Sequence, residues 1–209
     1  MTMVAERRGE YDLTDVPSIV EGSVKLGLLE SIVVLLFSLG SRYLAGPAET
    51  IVCGIILIAG LAAVSMLPGL WTRARTIEGI AGAAGIGLGA TGVFLLLDVM
   101  LLQNIGTYTN RWYAIGGGSN WWYHPVWWMA GTFLPWMGAW ILANQTAKNG
   151  SASVGMAFVT ALGLAVLSAL VAILIGFPAA RWTLGTFGVA FLPGLALAAL
   201  VTSMGKRRA

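Results

Sequence analysis

The sequence predicts an all-α integral membrane protein, a bundle of six transmembrane helices with N- and C-termini cytoplasmic. Three observations lead there. Composition is the first: 57% of the 209 residues are hydrophobic and 10% are charged, and mean hydropathy is +0.82. Soluble domains carry about 25% charged residues. Second, long stretches lack Asp, Glu, Lys and Arg, namely 50–72, 79–97, 112–147, 149–180 and 182–205. A helix needs about 20 apolar residues to cross the hydrocarbon core. Third, six crossings sort the basic residues. Arg7, Arg8, Lys25, Arg73, Arg75, Lys148, Lys206, Arg207 and Arg208 fall on one side and Arg42, Arg111 and Arg181 on the other, nine against three. If the first, most polar segment did not cross, the split would be six to six and the positive-inside bias would vanish.

Residues 1–25 read as a cytoplasmic tail, with Glu6, Glu10, Asp12, Asp15 and Glu21 set against three bases. That mixture is unlike the basic start of a secretory signal. The first span, about 26–44, holds Glu30 near its start and Arg42 near its end, with 11 residues between them. It crosses if both charged groups snorkel to the interfaces, Glu30 being neutralised by Lys25, Arg73 or Arg75. The second span, about 50–68, follows Pro47 and Glu49, residues suited to a helix N-terminus. The third, about 77–102, opens with Glu78 and carries Asp98 roughly 30 Å along. Residues 103–124 form an outer aromatic loop, and the fourth span, about 125–146, opens at Pro125. Lys148-Asn149-Gly150-Ser151 is a polar turn. Spans at about 153–177 and 184–204 complete a transmembrane domain of residues 26–204, and 205–209 form a basic tail.

Few residues offer chemistry. One cysteine, Cys53, excludes an internal disulfide, and one histidine, His124, excludes a haem held by two histidines of this chain. Phosphate loops, CxxC pairs and paired metal-binding histidines are missing from the sequence, which names no metal site, no catalytic residue and no cofactor. The scattered basic residues form no nucleic-acid surface. Gly82, Gly85, Gly89 and Gly92, at steps of three, four and three, share one helical face that a neighbouring backbone can approach closely. Asp98 lies nine residues beyond Gly89, on the opposite side of that helix. A carboxylate on a spanning helix is a functional candidate by default, and here an ion pair with Arg111 or Arg42 is expected. Gln103, Asn104, Glu49 and Arg181 complete a polar cluster on the same side of the membrane.

The aromatic stretch is the most distinctive. Seven of nine tryptophans (Trp112, Trp121, Trp122, Trp127, Trp128, Trp136 and Trp140) lie there with Tyr108, Tyr113 and Tyr123. Such residues favour the lipid–water interface, and they also build caps and docking surfaces. His124, before Pro125, sits at a helix N-terminus where a neutral ring could ligate one metal or pigment from one side. Pro135 and Pro193 interrupt two spans and should free the carbonyls of Gly131 and Val189. Residues 60–67 and 163–170 are similar at an offset of 103, a likeness that Gly, Ala and Leu composition can produce alone.

These features read foremost as a non-enzymatic multi-pass subunit or scaffold of the cell (inner) membrane. It would bind other membrane proteins, or itself, through the glycine face and an extracytoplasmic tryptophan-rich loop. The alternative is a small-solute or ion transporter or channel with Asp98 near its outer mouth. A third reading is a redox or pigment-binding subunit using His124.

Overall fold

The computed structural model describes residues 12–114 and 123–204, without the side chains of Tyr113, Tyr123 and His124. The chain is an all-α bundle of six long apolar helices, each long enough to cross a bilayer: α1 (Val16–Tyr43), α2 (Gly46–Trp71), α3 (Ile77–Leu97), α5 (Tyr123–Asn149), α6 (Val154–Leu174) and α7 (Leu184–Ser203). Between α3 and α5 lies the short α4 (Asn110–Ala114). Residues 12 and 204 lie on one face of the bundle, the terminal face. The turns at 44–45 and 175–183 and the segment 103–114 lie on the other, the distal face.

The first helix begins ten residues before the apolar run. Asp15 caps it, accepting hydrogen bonds from the Ser18 backbone N–H at 3.1 Å and the Ser18 hydroxyl at 2.8 Å, and Pro17 sits in the first turn. Both are helix-start signals. Glu21 and Lys25, which look like obstacles to a helix entering a bilayer, form an exposed pair one turn apart. At 28 residues α1 is about 42 Å long, and Glu30 stands at its midpoint rather than one turn from its end. The expected neutralisation of Glu30 by Lys25 fails for this reason: Lys25 belongs to Glu21, about 7 Å nearer the terminal face.

Two residues, Leu44 and Ala45, join α1 to α2, with Gly46 at φ +64°. That left-handed conformation favours glycine and turns the chain within one residue of Pro47. Residues 12–15 strap the terminal face: the Asp12 carboxylate accepts from the backbone N–H groups of Arg75 and Gly79, and Leu13 N–H donates to Thr72 O.

Helix α3 runs between α1 and α5. Its glycine face is used unevenly. A Cβ at Gly89 would lie 2.3 Å from Ser23 Oγ and one at Gly82 2.9 Å from Thr14, whereas Gly85 and Gly92 have ordinary 3.9 Å and 3.7 Å clearances. The closest backbone contacts lie elsewhere. A Cβ at Gly87 would meet Gly131 O at 2.2 Å, and one at Gly138 would meet Ser65 O at 1.8 Å. These glycines bring α3 and α2 against α5, as small residues do between membrane helices. The α6–α7 pair leans on α5 through α7, with Gly194 against Ala165 and an alanine stripe, Ala157, Ala161, Ala165 and Ala169, buried on α6. Gly60 and Gly163, the counterparts in the similar stretches, have different settings: Gly60 abuts Val33, and Gly163 has open space around it.

Candidate functional site

The distal face carries most of the polar groups singled out in the sequence, joined in a different pattern from the expected one. Asp98 is 4% exposed. It opens a π-helical turn, Asp98–Leu102, in which Gln103 N–H reaches back five residues to Asp98 O. That extra residue per turn swings the Gln103 side chain over the carboxylate, and its Nε2 donates to Asp98 Oδ2 at 2.6 Å. The Tyr108 hydroxyl donates to Oδ1. Asp98 is thus held by two neutral donors, and the expected pairing with Arg111 or Arg42 does not form. Arg111 belongs to Glu49 instead. Its Nε donates to Oε1 at 2.7 Å and its Nη2 to Oε2, a bidentate contact to a carboxylate only 3% exposed. Glu49 in turn raises the Arg111 guanidinium above its ordinary pKa, chiefly through that hydrogen bond.

The other members scatter. Arg42 donates to Gly106 O, and Ser38 beside it to Thr107 O, so both pin the 103–109 segment to α1. Asn104 donates to Met100 O at 2.8 Å, closing the end of its own helix. The Arg181 side chain is exposed, while its backbone N–H reaches the Thr186 hydroxyl. Trp121 and Trp122 lie outside the described residues, as do the side chains of Tyr123 and His124. Trp128 is exposed beside Gly92. Trp112 and Trp127 turn inward. Trp112 is 5% exposed and meets Phe37 edge-on at 5.2 Å, and Trp127 packs on Phe94 at 4.8 Å.

Those two aromatic pairs form the distal end of a cavity of about 270 Å³. Its walls come from α1, α2, α3, α5 and α7, with Trp112 of α4 as a plug; α6 takes no part. At the opposite end stands Glu30. Seven residues, about 10 Å of helix, separate it from Phe37. Thr91 of α3, Leu134 of α5 and Leu192 of α7 line the same cavity as Glu30. The floor beneath is closed by the Gly138–Ser65 and Gly69–Ala139 contacts between α2 and α5.

Among the described residues the wall is almost wholly apolar, and Glu30 is its one ionisable residue. Among the described residues Glu30 has no hydrogen-bond or ion-pair partner. Groups of three or more His, Cys, Asp or Glu that could hold a metal are missing among the described residues. Thr91 directs its hydroxyl to Gly87 O at 2.9 Å. Of the two carbonyls that proline was expected to free, Gly131 O presses on Gly87, and Val189 belongs to the wall.

The sequence-based reading passed over Glu30 as a snorkelling residue. Two signals place it deeper. Asp15-Val16-Pro17-Ser18 is a helix start, and Ser23, Gly27 and Ser31 form a small-residue stripe that continues the packed face upstream of residue 26.

No known protein family, curated protein or solved structure matches the chain.

Proposed function

We propose that this protein is a membrane-embedded small-solute binding protein of the transporter type, with the Glu30 cavity as its binding site. One observation carries the reading: a carboxyl with no described partner lies at mid-bundle on the wall of an apolar cavity. An ionised side chain at the bilayer centre costs about 2.5–3.5 kcal/mol on insertion scales, and intramembrane ionisable groups mark solute or ion pathways. Ligand sites have this form: concave, mostly apolar, with few polar groups. Three wall helices, α2, α5 and α7, carry internal prolines, and interrupted helices are the usual lining of transport paths. The transporter site thus moves from Asp98, whose carboxylate already has two donors, to Glu30.

The scaffold reading draws on features that the bundle uses internally. Gly82 and Gly89 pack on residues of this chain, and Trp112 and Trp127 line the cavity. For topology, the nine-to-three bias of basic residues supports cytoplasmic termini in a cell membrane; the aromatic plug then faces outward.

The test is binding of a neutral apolar probe, tritiated 4-phenylbutanol, to protein in lipid nanodiscs. Gly188 lies on the wall, and a Cβ there clears Leu57 by 4.0 Å. Gly188→Phe should therefore fold and fill the cavity. Saturable binding by the parent and at least tenfold weaker binding by Gly188→Phe are expected. Binding that is absent, or indifferent to Gly188→Phe, overturns the reading.

A further inference from the structure

We infer that the solute is a hydrophobic cation, an amine or ammonium compound whose charged head meets Glu30 while its apolar body lies against Phe37, Phe94, Trp112 and Trp127. This rests on the cavity being a binding site and adds the chemistry of its occupant.

The polar groups at the Glu30 end are acceptors. Glu30 offers two carboxyl oxygens. Thr91 has committed its proton to Gly87 O and keeps only lone pairs to offer. Among the described residues the wall carries no Lys, Arg, His, Asn or Gln. Its side-chain N–H donors among the described residues are the indoles of Trp112 and Trp127, which pack on Phe37 and Phe94. An anionic solute would set like charge against Glu30 in surroundings that screen little. A neutral hydrocarbon would fill the space and leave the carboxyl as it is. A cation with N–H groups supplies both what the acceptors lack and the counter-charge that a carboxylate in an apolar wall requires.

The nearby cations that could serve instead are engaged. Lys25, the nearest on α1, is paired with Glu21. Arg42 and Arg111 are held on the distal face by Gly106 O and Glu49. Among the described residues these cations are spoken for, and a cationic ligand supplies the counter-charge instead. Shape agrees: from Glu30 to Phe37 along α1 is about 10 Å, the length of an aromatic ring on a short chain ending in an amine. Aromatic faces at the far end suit such a body.

The experiment compares two probes of equal size, tritiated 4-phenylbutylamine and 4-phenylbutanol, on the parent and on Glu30→Gln in nanodiscs. Thermal melting of both proteins checks that the variant is folded. Amine binding that falls at least tenfold in Glu30→Gln, with alcohol binding unchanged, is the expected result. If amine and alcohol bind alike and neither responds to Glu30→Gln, the cavity binds solutes but the cation assignment is overturned. If neither probe binds the folded parent, both the assignment and the binding-site reading fall. Should Glu30→Gln not fold, Glu30→Asp serves. Shortening by one methylene should weaken the amine and spare the alcohol, and equal effects on both overturn the assignment.

Discussion

Asp98 is a buried carboxyl and Glu30 a half-buried one on a cavity wall, and their surroundings are opposites. Asp98 sits at the distal end of α3 with Gln103 and Tyr108 donating to its two oxygens. Glu30 sits at mid-bundle beside empty space, with no described donor. Burial alone therefore does not separate structural from functional groups. The state of the hydrogen-bond inventory does. A buried group whose lone pairs are filled has finished its work when the chain folds. One whose lone pairs are empty keeps an unspent interaction that a ligand can use, since an unmet buried polar group is costly.

Stability measurements can break this contrast. The largest effect is expected where the two regions touch. Trp112 packs under Tyr108, in the Asp98 cluster, and on Phe37, at the cavity. Trp112→Ala should cost about 3 kcal/mol, as for large-to-small changes at buried aromatics, and should loosen retention of 4-phenylbutanol by joining the cavity to the distal surface. A thermal melt and a dissociation rate check the two halves. A melt unchanged by Trp112→Ala would mean that the plug is not part of the packed bundle.

Next in size is a pair with opposite signs. Asp98→Leu strands two donors and should lose about 2 kcal/mol. Glu30→Leu removes a carboxyl without a partner from an apolar wall, so its melting temperature should hold or rise while amine binding disappears. If both substitutions destabilise equally, Glu30 has a partner in the folded protein and the contrast collapses.

The smallest effect concerns the start of α1, which sets the depth of Glu30. The Ser18 hydroxyl, with the Ser18 backbone N–H, holds the Asp15 carboxyl below its ordinary value of 3.8. A depressed carboxylate contributes stability that is present above the unfolded value and is lost as pH falls through the folded one. Amide exchange around Ser18 should accelerate below pH 3.8 in the parent. In Asp15→Asn, whose amide caps without titrating, it should stay nearly level. Exchange that ignores both pH and the substitution would place the helix start elsewhere.

The six spans were legible because hydrocarbon thickness imposes a length and a charge-free composition that show in any single sequence. Five spans need nothing beyond that. The first was legible as a crossing but not in extent. Glu21, Lys25 and Glu30 lower its apolarity, and only tertiary structure shows that two of them neutralise each other. Asp98 was legible as a buried carboxylate near one surface. Its partners were not, because a π-helical turn brings Gln103 over it, a shift of one residue that periodicity at 3.6 does not anticipate. Arg111 was legible as a cation needing an acid, and the choice of Glu49 depends on where α4 packs against α1. The cavity had no sequence signature. It is the space that five apolar walls fail to fill, and apolar residues look the same in sequence whether they meet a neighbour or a void.

The two-residue connection between α1 and α2 bears on how such a chain enters a bilayer. A helix carrying Glu21, Lys25, Glu30 and Arg42 partitions into lipid less readily than its successor, whose spanning stretch is far more apolar. With only Leu44 and Ala45 between them, the two are expected to enter a bilayer as one hairpin, the apolar partner favouring insertion of the polar one. Gly60 meets Val33 within one turn of Glu30, so the carboxyl gains its first wall as soon as the hairpin closes. Helices α3, α5 and α7 arrive afterwards and enclose it. The order of synthesis thus builds the cavity around its charge, and the residue most costly to insert is sheltered first.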